Sequence, residues 1–176
     1  MTPLPLLSLP GSPASSDVLF YGSMSDRREG LLQRLRYPDG GTNRSLGIDL
    51  VYFHSELFGP ARDEVILQSK VVLNTHHYEG PDKADLEVHR INHLLALGKC
   101  VVTERSSDKD LDAKYEGAVV FSSLEDMPQV AGELVQDPAR RFSVEQAALA
   151  LSASLQADTG SLQRAWDGAI HIAQGL

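Results

Sequence analysis

The chain has 176 residues and a formal charge of −8, with 24 acidic residues against 16 lysines and arginines. That length is enough for one domain with a real core. The acidic balance and the scarcity of aromatic residues argue against an extended nucleic-acid surface, which shows a basic excess and stacking platforms. The single cysteine, Cys100, excludes an internal disulfide and an all-cysteine metal site, and predicts a reducing, cytoplasmic setting.

Residues 1–16, rich in Pro, Ser and Gly, read as a flexible lead without the basic start of a signal peptide. No apolar run approaches the roughly 20 residues needed to cross a bilayer. DVLFYG, 17–22, is a short apolar run with aromatic and branched residues, hence a strand. A helix is expected over 27–36, capped by Ser25 or Asp26. A turn region at 37–45 leads to a second strand over 46–53, and a short helix over 59–69 follows. KVVLNTHH, 70–77, is a third strand, and 78–85 is a polar loop.

LEVHRINHLLAL, 86–97, has helical spacing with charge in its apolar stripe. At about 100° per residue, Glu87 and Arg90 share an arc with Val88, Ile91, Leu94, Leu95 and Leu97. A charge on such a face is costly unless it is paired or meets a ligand. Two readings stand: a structural Glu87–Arg90 pair three residues apart, or a binding site.

KCVVTE, 99–104, reads as a fourth strand, 106–115 as loop or short helix, and GAVVFS, 117–122, as a fifth strand. A helix over 124–138 ends at Pro138, and two more are expected over 142–154 and 162–172. Blocks of apolar strand alternating with helices predict a single Rossmann-like, doubly wound α/β domain with a parallel sheet and C-terminal helices. Its expected limits are 17–158, followed by a packing helix over 159–176.

Ligands of open parallel sheets lie beyond the carboxyl ends of the strands. Gly22 and Ser23 follow the first strand, ahead of a helix N-terminus that attracts phosphate, and Arg27 and Arg28 add fixed positive charge. Neither a G-x-G-x-x-G fingerprint nor a P-loop is present. His76, His77, Tyr78 and Glu79 follow the third strand. Adjacent histidines on a strand point to opposite faces, and no metal signature surrounds them, so no metal is expected. Histidine as a residue type can transfer protons near neutral pH, which makes His77 a candidate, and Glu79 is a candidate hydroxyl or charge partner. Glu104, Asp108, Asp110 and Asp112 follow the fourth strand, with Asp110 and Asp112 expected in solvent. Cys100 reads as a structural thiol within its strand.

The stretches FGPARDEVILQSKVVLNTHHYEG, LEVHRINHLLALGKCVVTE and YEGAVVFSSLEDMPQVAGELVQDPARR, together with DVLFYGSMSDRREGLLQRLR, carry a resemblance over roughly 17–150. In order and spacing they resemble the carboxyl-terminal domain of nucleotide-sugar glycosyltransferases of the two-Rossmann-domain (GT-B) type, in the branch that includes spore-maturation-type proteins. The resemblance implies a donor site for a nucleotide-diphosphate sugar and no resident cofactor. Gly22, Ser23 and Arg27 would lie at the diphosphate, and Glu87 at the ribose or sugar. Arg90 would hold the diphosphate or Glu87, and His77 and Glu79 would stand at the sugar side as catalytic candidates.

The chain departs from that family in three ways. His93 stands where many relatives carry a second glutamate before Gly98, and C-V-V replaces P-V-V after it. The acceptor-binding half that precedes this domain in complete enzymes is expected on another chain, in a longer protein, or not at all. The alternatives are therefore a donor half-enzyme and a non-catalytic nucleotide-binding or interaction module, with a homodimer as a further expectation.

Overall fold

The computed structural model describes residues 16–37, 48, 50–53, 58–78, 80 and 85–174. Its strands are β1 (Ser16–Tyr21), β2 (Leu50–Phe53), β3 (Ser69–Asn74), β4 (Cys100–Thr103) and β5 (Val120–Phe121). They form one five-stranded sheet in the order β2-β1-β3-β4-β5, and every neighbouring pair is parallel. The helices between and after them are α1 (Asp26–Arg36), α2 (Gly59–Leu67), α3 (Val88–Ala96), α4 (Lys109–Tyr115), α5 (Met127–Gln136) and α6 (Pro138–Gln174).

The strand sequence explains the two-sided packing. Val18 and Phe20 alternate with Leu19 and Tyr21, and all four are buried. The first pair joins Leu31 and Leu35 of α1 and Met127, Ala131 and Leu134 of α5. The second pair joins Ile66 of α2 and Ile91, Leu94 and Leu95 of α3. Period-two side chains that are apolar on both faces need helices on both faces, and the sheet is doubly wound. Each fully buried leucine or isoleucine of α3 contributes roughly 2 kcal/mol.

Three local expectations change. β3 ends at Asn74, so His76 and His77 lie past the strand rather than on it. α3 begins at Val88, and Glu87 occupies its N-cap position instead of its stripe. The backbone of Glu87 (φ −73°, ψ 70°) and the bond from Val88 N–H to the Leu86 carbonyl (2.7 Å) form an inverse γ-turn, which holds Glu87 outside the helix. The two helices expected over 142–154 and 162–172 are one continuous helix, α6. Gly160 between them costs about 1 kcal/mol against alanine but removes no backbone donor, so it does not end the helix.

α6 starts at Pro138, capped by Asp137, whose carboxylate accepts from Arg140 N–H at 2.9 Å. Its first half runs from Val144 on the α5 side to Ala148 and Leu151 on the α3 side. Gly98 (φ +64°) makes that crossing possible, because a β-carbon there would meet Leu149 Cδ2 at 3.2 Å. Among the described residues, no helix is long and apolar enough to cross a membrane.

Candidate functional site

The connection from β1 runs outward to β2 on one side, and the chain returns to β3 on the other. Connections therefore leave the adjacent strands β1 and β3 toward opposite faces, which opens a crevice beyond their carboxyl ends. The residues there are Gly22 and Ser23 after β1, the first turn of α1, Thr75 to His77 after β3, and the start of α3.

Arg28 is the centre of this crevice and only 2% exposed. It lies in phase with Leu31 and Leu35 on the buried face of α1. Its Nη1 donates to the Ser23 carbonyl at 2.9 Å, and its Nη2 donates to the Thr75 carbonyl and to Glu87 Oε1 at 3.3 Å. The guanidinium also lies over the Phe20 ring, 5.4 Å from its centroid. Burial lowers the Arg28 pKa from its ordinary value, and the Glu87 charge opposes that shift. An arginine remains charged under such a shift.

Arg90, one turn into α3, donates from Nη2 to Glu87 Oε2 at 3.0 Å and from Nη1 to Asn74 Oδ1 at 3.3 Å. It covers the Tyr21 ring at 5.0 Å. Gly22 (φ +135°) makes room for it, since a β-carbon at Gly22 would stand 3.2 Å from Arg90 Nη2. The tight backbone after β1 thus admits a guanidinium. Glu87 is about one-third exposed and has no capping bond to α3; its two oxygens serve the two arginines. Two guanidiniums therefore share one carboxylate.

Arg27 is committed elsewhere. Its guanidinium forms a two-pronged pair with Glu104 at the end of β4, with Nη1 2.6 Å from Oε2. Glu104 Oε2 also accepts from His76 N–H at 3.0 Å. Burial alone would raise the Glu104 pKa, but the hydrogen bonds from Arg27 and from the His76 backbone, with the Arg27 charge, bring it below the ordinary value. Arg27 thus ties α1 to β4, and its part at the site is to hold the crevice wall.

The two histidines diverge. His76 is buried, and its Nε2 donates to the Arg105 carbonyl at 2.9 Å. His77 faces the crevice, with Nδ1 at 3.2 Å from Arg28 Nη1 and 3.3 Å from Ser23 Oγ. Arginine carries only donors, so Nδ1 is the acceptor and the ring proton of His77 sits on Nε2. Tyr78 is exposed and meets the His77 ring edge-on at 4.5 Å. Glu79 lies outside the described residues.

The acidic loop after β4 divides into separate roles. Asp108 caps α4 by accepting from Leu111 N–H at 2.9 Å, while Asp110 is exposed. Asp112, expected in solvent, is buried; its carboxylate accepts from Ser106 Oγ at 2.8 Å and from Ser106 N–H at 3.1 Å. It shares the inner face of α4 with Tyr115, three residues on, which the alternating charges concealed. Cys100 is buried in β4, and burial pushes its thiol up to about 12, which suits a structural thiol. Among the described residues, no three His, Cys, Asp or Glu side chains converge in a way that could hold a metal ion.

No model of a known protein family and no curated protein matches this chain. The chemistry of the crevice therefore rests on its own groups. Around Arg28, Arg90 and Glu87 the described charges sum to one positive, supplemented by the N-terminus of α3, which has no side-chain cap. Arg28 Nε and Thr75 Oγ1 are buried and have no hydrogen-bond partner among the described residues. Buried polar groups are ordinarily paired. Positive charge, an uncapped helix start and unmet hydrogen-bonding groups suit a compact anion with several oxygens.

Proposed function

We propose that the crevice beyond β1 and β3 binds the diphosphate of a nucleotide-sugar, making this domain the donor-binding half of a glycosyltransferase. The observation that carries the reading is the pairing of Arg28 and Arg90 with a single carboxylate at the switch point of the sheet. The sequence resemblance to GT-B carboxyl-terminal domains points to the same ligand.

In this reading a sugar passes from the nucleotide diphosphate to an acceptor hydroxyl, and the leaving diphosphate gains negative charge as its bond to the sugar breaks. Arg28 and Arg90 stabilise that charge as preorganised donors, and the Nε2–H of His77 donates to a phosphate or sugar oxygen. Ser23 supplies a backbone N–H and a hydroxyl at the mouth, and Glu79 keeps the sugar-side role that the sequence resemblance implies for it. No metal is required by this electrostatic scheme. The acceptor site lies on a second domain, on this chain's longer form or on a partner, and the setting is a reducing compartment such as the cytoplasm. A homodimer would cover the face turned toward that second domain.

The non-catalytic alternative, a nucleotide-binding module, is favoured by one observation: His77 Nδ1 already accepts from Arg28, so the ring offers the ligand an N–H hydrogen bond and no free basic nitrogen on that side. Calorimetric titration with UDP-, GDP- and ADP-sugars, with and without divalent cations, tests the reading. Saturable binding that is lost in Arg90→Ala and unchanged without metal supports it; no binding across the panel by a folded sample contradicts it. Release of free sugar or transfer to an acceptor separates the enzyme from the module.

A further inference from the structure

Glu87 is the one described carboxylate among the crevice arginines Arg28 and Arg90, and both of its oxygens are engaged: Oε1 lies 3.3 Å from Arg28 Nη2, and Oε2 lies 3.0 Å from Arg90 Nη2. A carboxylate bridging two guanidiniums presents two oxygens as a phosphate does. The side chain is about one-third exposed, while Arg28 is buried and held by the Ser23 and Thr75 carbonyls. The arginine is therefore the fixed member, and the glutamate is the member with solvent to turn into. Its backbone sits in a γ-turn at the head of α3, so a side-chain rotation leaves the helix intact.

From this arrangement we infer that Glu87 is an internal occupant of the anion site, and that a diphosphate binds by replacing the Glu87 carboxylate on Arg28 and Arg90. The inference rests on the proposed diphosphate site. It gives Glu87 a role different from holding the hydroxyls of the ligand: it halves the positive charge of the resting crevice and sets a threshold that a singly charged anion does not cross. With the carboxylate in place the three side chains carry one net positive charge, and with it turned away the two arginines present two. Selectivity for a diphosphate over a simple carboxylate or chloride follows, because only a multiply charged ligand gains more from the two arginines than the Glu87 carboxylate it replaces.

Inorganic pyrophosphate and UDP, titrated into the intact chain, serve as the probes. In Glu87→Gln, which keeps the shape and removes the charge, pyrophosphate is expected to bind about fivefold to tenfold tighter than in the wild type, the equivalent of one ordinary hydrogen bond. Acetate is expected to gain measurable binding in the same variant. Unchanged pyrophosphate affinity in Glu87→Gln, with weakened UDP binding, overturns the displacement and assigns Glu87 to ligand hydroxyls while leaving the diphosphate site standing. Absence of binding of either probe to wild type and variant alike overturns the site itself.

The wild-type chain provides a check that needs no substitution. The carboxyl carbon of Glu87, followed by carbon-13 resonance after isotopic labelling, is expected to move toward the position of a solvent-exposed glutamate as pyrophosphate saturates. A carboxyl signal that stays fixed through saturation contradicts the displacement.

Discussion

The Arg90 guanidinium occupies the space that a side chain on Gly22 would take, 3.2 Å from where its β-carbon would stand. A residue after the first strand and a residue on the third helix are thereby made interdependent. Gly22→Ala forces a β-carbon into a left-handed backbone and against Arg90. The expected outcome is a loss of about 1–2 kcal/mol in urea unfolding, together with weakened nucleotide-diphosphate binding as Arg90 moves. Retained affinity in Gly22→Ala would show that Arg90 is not at the ligand.

Arg28 combines deep burial with charge, so its removal affects folding and binding together. Arg28→Met keeps the stem packed but strands Glu87 with one partner and leaves the Ser23 and Thr75 carbonyls without their donor. Breaking a buried charged network on one side costs about 3 kcal/mol. Denaturant unfolding is expected to show a drop of that order. Arg28→Lys, with a point charge and a shorter reach, is expected to recover only part of it.

Glu104 makes stability depend on acid. Its folded pKa lies below the unfolded one, so in the interval between them the unfolded chain binds more protons, and stability rises with pH. The contribution is complete above the ordinary glutamate value of 4.5 and is lost as pH falls through the folded value. Unfolding curves from pH 7 downward are expected to show a steep acid loss in the wild type. Glu104→Gln is expected to be less stable at neutral pH and to lose less on acidification, because no carboxylate remains to be protonated there.

A third cluster near the crevice serves as a control. Asp63 Oδ1 of α2 lies 3.0 Å from Arg62 Nη2 and 3.2 Å from His93 Nε2 of α3, and all three side chains are about one-third exposed. Exposed pairs of this kind are worth under about 1 kcal/mol. Asp63→Asn is expected to change stability by no more than that and to leave diphosphate affinity at the wild-type level. A large loss of affinity would place the anion nearer α2 than Arg28 and Arg90 allow.

The sheet and its doubly wound form were legible because each strand is an apolar block, and the alternation of Val18 and Phe20 with Leu19 and Tyr21 requires cover on both faces. The crevice was legible in outline, since Gly22, Ser23, His77, Glu87 and Arg90 all come to it. The choice between Arg27 and Arg28 was available in the sequence: Arg28 is in phase with Leu31 and Leu35, and that spacing marks it as the inward arginine. The partner of Arg27 was not readable, because Glu104 arrives from 77 residues away through the order of the strands. Glu87 misled for a local reason. The helical spacing of 86–97 starts two residues ahead of α3, across a γ-turn that leaves no mark in the pattern of apolar residues.

The central claim is that an anion-binding site lies between the ends of β1 and β3, and amide resonance mapping during titration with UDP tests it most directly. The account predicts that shifts concentrate at residues 22–28, 75–78 and 87–90 and follow one saturable curve. Saturable shifts clustered at the opposite, amino-terminal end of the sheet, around Ser16, Ser69 and Lys99, or no shifts at all in a folded sample, would contradict it.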